Sequence, residues 1–212
     1  MNRTFALLLC LIALIAGWAV YTRVSPEPIS AWASQAPKVE GSKIYFVPIG
    51  DFPDEQLQSL AQYYRQKYNL EITVLNSIPV DATTRDTSRH QLMAENLAAS
   101  LRNGVPEQGG EPGAILIGFT SEDMYPTSKP WLFVFGWRLG GTRLAVVSTA
   151  RLRILNIGHV LEWDLPGKRL RKIVTKDIGV FYYGLPQSQN PKSVLYNQIM
   201  GIEELDDVGD DF

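Results

Sequence analysis

The chain predicts an α/β (α+β) fold: a small, twisted, mixed β-sheet with helices packed on it and a small C-terminal subdomain. Residues 43–49 (KIYFVPI) and 70–75 (LEITVL) are β-branched or aromatic and flank an amphipathic stretch, so strand, helix and strand follow in close succession. Residues 114–119 (AILIGF) form a short, wholly apolar run, as a strand buried on both faces requires. Residues 170–183 keep helical spacing and run into Gly184.

In order along the chain, the first strand alternates over 43–49. Asp51 then precedes Pro53, Asp54 and Glu55, and acids in a first turn complement the positive end of a helix dipole. Leu57, Leu60, Ala61, Tyr64 and Tyr68 hold helical spacing to about Asn69. The next strand, at 70–75, implies a right-handed crossover between parallel neighbours. Residues 81–89 are polar and read as a loop. A second helix is expected over 91–101, with Leu92, Leu97 and Leu101 turned inward, and the Gly/Pro-rich 104–113 as a loop. Strands follow at 114–119, 131–137 (WLFVFGW) and 144–148 (LAVVS). The second of these sets Trp131, Phe133 and Phe135 on one face, and Gly140-Gly141 supplies the turn after it. A third helix spans 170–183. The tail, IEELDDVGDDF, is acidic, helical at most in part, and expected to be solvated.

The chain has 212 residues and a net charge of −2, which suits one sizeable core and gives no pull toward nucleic acid. Its single cysteine, Cys10, excludes an internal disulfide and a Cys-based zinc site in the body. Arg3 precedes a continuous apolar run from Phe5 to Val20, shorter than the about 20 residues of a relaxed membrane span and long for a signal-peptide core. Residues 1–23 therefore read as a signal anchor or a signal peptide, with Ala31-Trp32-Ala33 as a small-x-small cleavage site. Residues 24–42 are a Pro/Ser-rich linker, and 43–212 are the folded body. Either reading of the N-terminal segment exports the body or anchors it at a membrane, outside the cytoplasm.

Residues 115–151 are more specific. Thr120, Asp123, Met124, Tyr125 and Pro126 match a T-x-x-D-[LM]-Y-P segment. Trp131, Phe133, Val134, Phe135 and Gly136 match a W-N-F-V-F-G strand, and Ser148, Ala150 and Arg151 an S-x-A-R-[LF] strand end. In this order the motifs resemble the archaemetzincins, a branch of the metzincin zinc peptidases, and the opening IYFVPIGDFPDEQLQSL is similar to that family's first strand and helix. The resemblance covers most of the chain from Lys43 onward and implies a metzincin-like sheet.

It also implies a site. In the family, H-E-x-x-H on a helix is followed by a glycine and a third histidine. Histidines one turn apart bind zinc from one helix face, and the Glu activates the metal-bound water. This chain has only two histidines, His90 and His159, and neither lies in the corresponding helix. Aligned from the start of the motif, Lys176 and Val180 replace the first two histidines and Asp177 the Glu. Aligned backward from Gly184, Asp177, Ile178 and Phe181 take those positions, so the segment carries one extra residue. Gln187 stands at the third histidine, Ser188 and Ser193 where cysteines of a second zinc site are typical, and Leu195 at the methionine turn, with Met200 close behind.

Valine has no lone pair, and a lysine ammonium repels a metal ion. The remnant positions Lys176, Asp177, Val180, Gly184 and Gln187 are thus expected to hold no metal and no cofactor. The expected function is a non-catalytic archaemetzincin-like protein that binds a peptide or protein partner in the remnant cleft. The alternative is a zinc-dependent metallopeptidase with a remodelled site using Asp177, Gln187 and His159. A hydrolase using Ser148, His159 and Asp164 has no nucleophile-elbow motif behind it. His90 fits a surface or helix-capping residue, and Lys176 and Asp177 also fit a plain surface pair.

Overall fold

The computed structural model describes residue 32 and residues 35–154 and 164–212. The apolar N-terminal segment with Cys10, most of the cleavage site, and His159 lie outside the described residues. Among the described residues, no helix is long and apolar enough to cross a membrane.

The central sheet is five-stranded. Its strands are β1 (Lys43–Pro48), β2 (Ile72–Val74), β5 (Ala114–Thr120), β7 (Gly136–Arg138) and β8 (Leu144–Ser148). Their order is β2-β1-β5-β8-β7. Parallel pairing joins β1 to β2 and β5, and β5 to β8, with Phe46 opposite Val74 and Ile117, and Phe119 opposite Val147. Only β7 runs antiparallel, Trp137 opposite Val146, because the Gly140-Gly141 turn returns it directly to β8. A short second sheet holds β3 (Arg85–Asp86), β4 (Gln91–Met93) and β6 (Met124–Tyr125).

Helices cover both faces, which is why the central strands are apolar throughout rather than alternating. On one face, α1 (Asp54–Tyr68) and α4 (Leu165–Phe181) pack Leu57, Tyr64, Val174 and Ile178 against Phe46, Ile117, Phe119 and Val147. On the other, α2 (Ala94–Gly104) sets Leu97, Ala98 and Leu101 against Val47, Leu116 and Val146. A Cβ at Gly118 would stand 2.7 Å from Leu101 Cδ2, so this glycine sets how closely α2 approaches β5. A single turn of helix, α3 (Pro106–Gly109), follows α2, and α5 (Ile202–Asp207) lies in the C-terminal part.

Several expectations need correction. The second helix begins at Ala94; Gln91–Met93 is a strand. Leu92 pairs with Met124, and the Gln91 side chain donates to Asp123 at 2.8 Å and to the Leu132 carbonyl at 3.0 Å. These tertiary bonds override the helical pattern. His90 is an exposed residue at φ 53° ahead of that strand, so it caps no helix. Residues 131–135 form no strand. The Leu132 carbonyl is held by Arg89 and Gln91 side chains, and the Val134 N–H by the Met124 carbonyl, so the segment arches away from the sheet. Trp131, Phe133 and Phe135 therefore share no strand face. The third helix starts earlier than expected, at Leu165, with Pro166 in its first turn, and ends at Phe181. Nor is the acidic tail wholly solvated, because Asp206 is buried.

Candidate functional site

Helix α4 is the spine of the site. Ile173, Lys176, Asp177 and Val180 recur at helical spacing on one side and line a cavity of about 890 Å³. The facing wall is the arch and hairpin of 131–143, and Gln187, Asn197, Ile199 and Met200 close the third side. Leu132 and Met200, 76% and 52% exposed, sit on its rim.

The structure therefore brings Lys176, Asp177, Val180 and Gln187 around one space. Gly184 is close in sequence but does not line it; its φ of +65° turns the chain out of the helix. That turn is wide. Tyr183 N–H reaches back five residues to the Ile178 carbonyl (3.3 Å), and Leu185 N–H six residues to the Gly179 carbonyl (2.9 Å). A Schellman closure ends on a bond of the 6→1 type, so this helix end accommodates one residue more.

Ile178, the general-base position in the alignment from Gly184, is 1% exposed and belongs to the apolar core under the sheet. Lys176, Asp177 and Val180 all reach the cavity, so the alignment from the start of the motif places its three positions on one face.

Asp177 is 2% exposed, which corrects the reading of Lys176 and Asp177 as a surface pair. Its partner is Arg138 on β7, whose Nη1 donates to Asp177 Oδ1 at 2.8 Å. Asp177 Oδ2 is buried with no hydrogen-bond partner. Burial raises the Asp177 carboxyl above its ordinary value, opposed by Arg138. Lys176 Nζ donates to the Tyr196 carbonyl. Desolvation, reinforced by Arg138, brings the Lys176 ammonium down from 10.5 to about 8. Sequence reasoning missed Arg138, which stood in a segment read only as a turn; the clue was a basic residue directly after an aromatic strand.

The other motif residues build scaffold. Arg151 clasps Asp123 through two bonds of 2.9 and 2.6 Å, and its guanidinium lies 4.2 Å from the Phe133 ring centroid. The T-x-x-D and A-R motifs thus meet in one ion pair that also fixes the arch. Ser148 is 2% exposed and its Oγ donates to the Glu122 carbonyl, while Asp164 is held by Arg171 at 2.9 Å. Ser188 pairs with Tyr196 in a backbone bridge.

Behind the site, Arg169 makes a fully buried two-bond pair with Asp206, both bonds 2.7 Å, and donates to the Leu152 and Ile154 carbonyls. Lys172 Nζ bonds the Leu205 and Asp206 carbonyls. Its ammonium is lowered by burial, with Asp210 opposing. Among the described residues, no group of three or more His, Cys, Asp or Glu side chains is placed to hold a metal ion.

No protein-family model matches the chain. The archaemetzincin of Natronomonas pharaonis is 28% identical over 155 residues, 70% of this chain and 83% of the relative. The crystal structure of the archaemetzincin from Archaeoglobus fulgidus, complexed with malonate, superposes with a TM-score of 0.61 at 25% identity, covering 80% of this chain and 94% of that one. A zinc-dependent peptidase from Methanocorpusculum labreanum shares the fold, with a TM-score of 0.62 at 17% identity over 80% of this chain and 95% of its own. In sequence and in fold, the chain is archaemetzincin-like.

Proposed function

We propose that this chain is a non-catalytic archaemetzincin-like protein that has kept its cleft as a binding site for a peptide or a segment of a partner protein. One observation carries the reading: an open cavity is retained, while the side chains around it are those of an anion site rather than a metal site. Zinc needs convergent lone pairs. Lys176 offers a donor already given to the Tyr196 carbonyl, Val180 offers none, and Asp177 Oδ1 is engaged by Arg138. Among the described residues, the aligned positions leave Gln187 and Asp177 Oδ2, and these two do not fit the metal. The aromatic arch beside the cavity supports binding, since such side chains contribute most of the contact energy where a partner docks. The apolar segment at residues 5–20 supports a body exported or anchored at a membrane.

Metal analysis of the purified full chain, with a peptidase assay beside it, tests the reading. The expected result is no tightly held zinc and no chelator-sensitive cleavage. One zinc per chain, lost to a chelator together with activity, would overturn it in favour of a remodelled metallopeptidase.

A further inference from the structure

Among the described residues, the cavity carries an imbalance of charge. Lys176, Arg138 and Arg143 line it, and Asp177 is the one carboxylate among the described lining residues. Arg143 Nη1 donates to Ser42 Oγ and to the Gly113 carbonyl, both neutral. Lys176 has three donors, and its one described bond goes to the Tyr196 carbonyl. Arg138 has one described bond, to Asp177, out of the five donors of a guanidinium. These cations call for an anion.

The imbalance has a second, opposite component in the same place. Asp177 Oδ2 is a buried acceptor without a donor, and such an atom costs free energy until something donates to it. A phosphate or a fatty acid meets the cations but has no N–H for Asp177. The terminal residue of a peptide has both groups, a carboxylate and an amide N–H separated by one Cα. Lys176 adjoins Asp177 in the helix, and Arg138 touches it at 2.8 Å, so the two demands are adjacent. The walls specify the rest: Trp131, Phe133, Phe135 and Trp137 flank the space, and the exposed Leu132 and Met200 extend it outward. They suit apolar side chains.

We propose that the cavity receives the free carboxyl end of an apolar peptide, with its terminal carboxylate held by Lys176 and Arg138 and its last amide N–H donated to Asp177 Oδ2. This rests on the reading of the cavity as a binding site that no longer hydrolyses.

The test is calorimetric titration of the purified full chain with acetylated hexapeptides ending in Leu, Phe or Val, each as free acid and as C-terminal amide. The free acid should bind about tenfold tighter or more, the worth of a charge-assisted contact. Lys176→Met should cut that preference several-fold. So should the joint exchange Arg138→Gln/Asp177→Asn, which leaves no lone buried charge behind. A circular-dichroism melt checks that each variant is folded. Equal binding of acid and amide, or no binding of either, overturns the proposal, as does an undiminished preference in both folded variants. Dodecanoate displacing the peptide acid at a lower concentration than the peptide itself also overturns it and identifies a lipid carboxylate. Cleavage of the peptides together with bound zinc is a separate readout, and it would overturn the non-catalytic reading beneath.

Discussion

Arg169 and Asp206 are 1% and 2% exposed at their side chains, and the Leu152 and Ile154 carbonyls use the guanidinium further. Removing one partner of such a pair strands the other's charge in the core. Arg169→Met should therefore cost roughly 3–5 kcal/mol, read from urea unfolding. Arg169→Met combined with Asp206→Leu should recover most of that loss, since an apolar pair of similar volume is often neutral or better. Lys176 gives a prediction in pH. Its folded form releases the proton near 8, whereas the unfolded chain holds it to about 10.5. Between those values the unfolded state binds more protons, so stability from this group rises with pH across that window and is least below it. The difference in urea midpoint between wild type and Lys176→Met, which cancels the other titrating groups, should move in favour of the wild type from pH 8 to 10.5. That residues 176, 177, 180 and 187 would come together was legible from the sequence, because a motif fixes positions by spacing. Their partners were not. Arg138 is 39 residues from Asp177 and Asp206 is 37 from Arg169, and no spacing rule reaches that far.

Helix α4 shows how one residue changes an element. The wide closure onto Ile178 and Gly179 places Gly184 in the left-handed region, where a Cβ would meet only Val39 Cγ2, at 3.5 Å. The cost of Gly184→Ala is thus backbone strain and not crowding, about 1–2 kcal/mol, and Gly184→Asn should cost less. Thermal melts of the two variants check this. Gly118 is the opposite case: its φ is unremarkable, but a side chain would strike Leu101 and Ile49 at 2.7 and 2.8 Å. Gly118→Val should lower stability by about 1–3 kcal/mol through overpacking between β5 and α2. The same split explains which elements the sequence disclosed. α1 carries its own period and β5 an unbroken apolar run, so both were readable. Residues 91–93 and 131–135 owe their shape to hydrogen bonds accepted by Asp123 and Met124 and donated by Arg89 and Gln91, so local pattern misassigned both.

At the scale of the molecule, the fold class followed from apolar strands and a crossover, which are local signals of a sheet covered on both faces. The role of the C-terminus did not, because an acidic tail looks the same whether it is solvated or docked. Here Ile202 and Leu205 join the core, the Lys172 ammonium rests on the Leu205 and Asp206 carbonyls, and Asp211 accepts from the Tyr68 hydroxyl at 2.7 Å. Ending the chain at Gly201 should strip Arg169 and Lys172 of the carboxylates of Asp206 and Asp210 and abolish the cooperative melt and the near-ultraviolet dichroism of the aromatic core. The last residue, Phe212, packs against Tyr68, Tyr183 and Trp32, and covers Gly179 in the helix that lines the cavity. This has a consequence in time. A ribosome delivers the sheet and α4 well before it delivers Asp206 and Phe212, so during that interval two basic side chains in α4 have nothing to neutralise them. The fold closes only once those residues have emerged, and until then the nascent protein depends on whatever keeps an unfinished parallel sheet from aggregating.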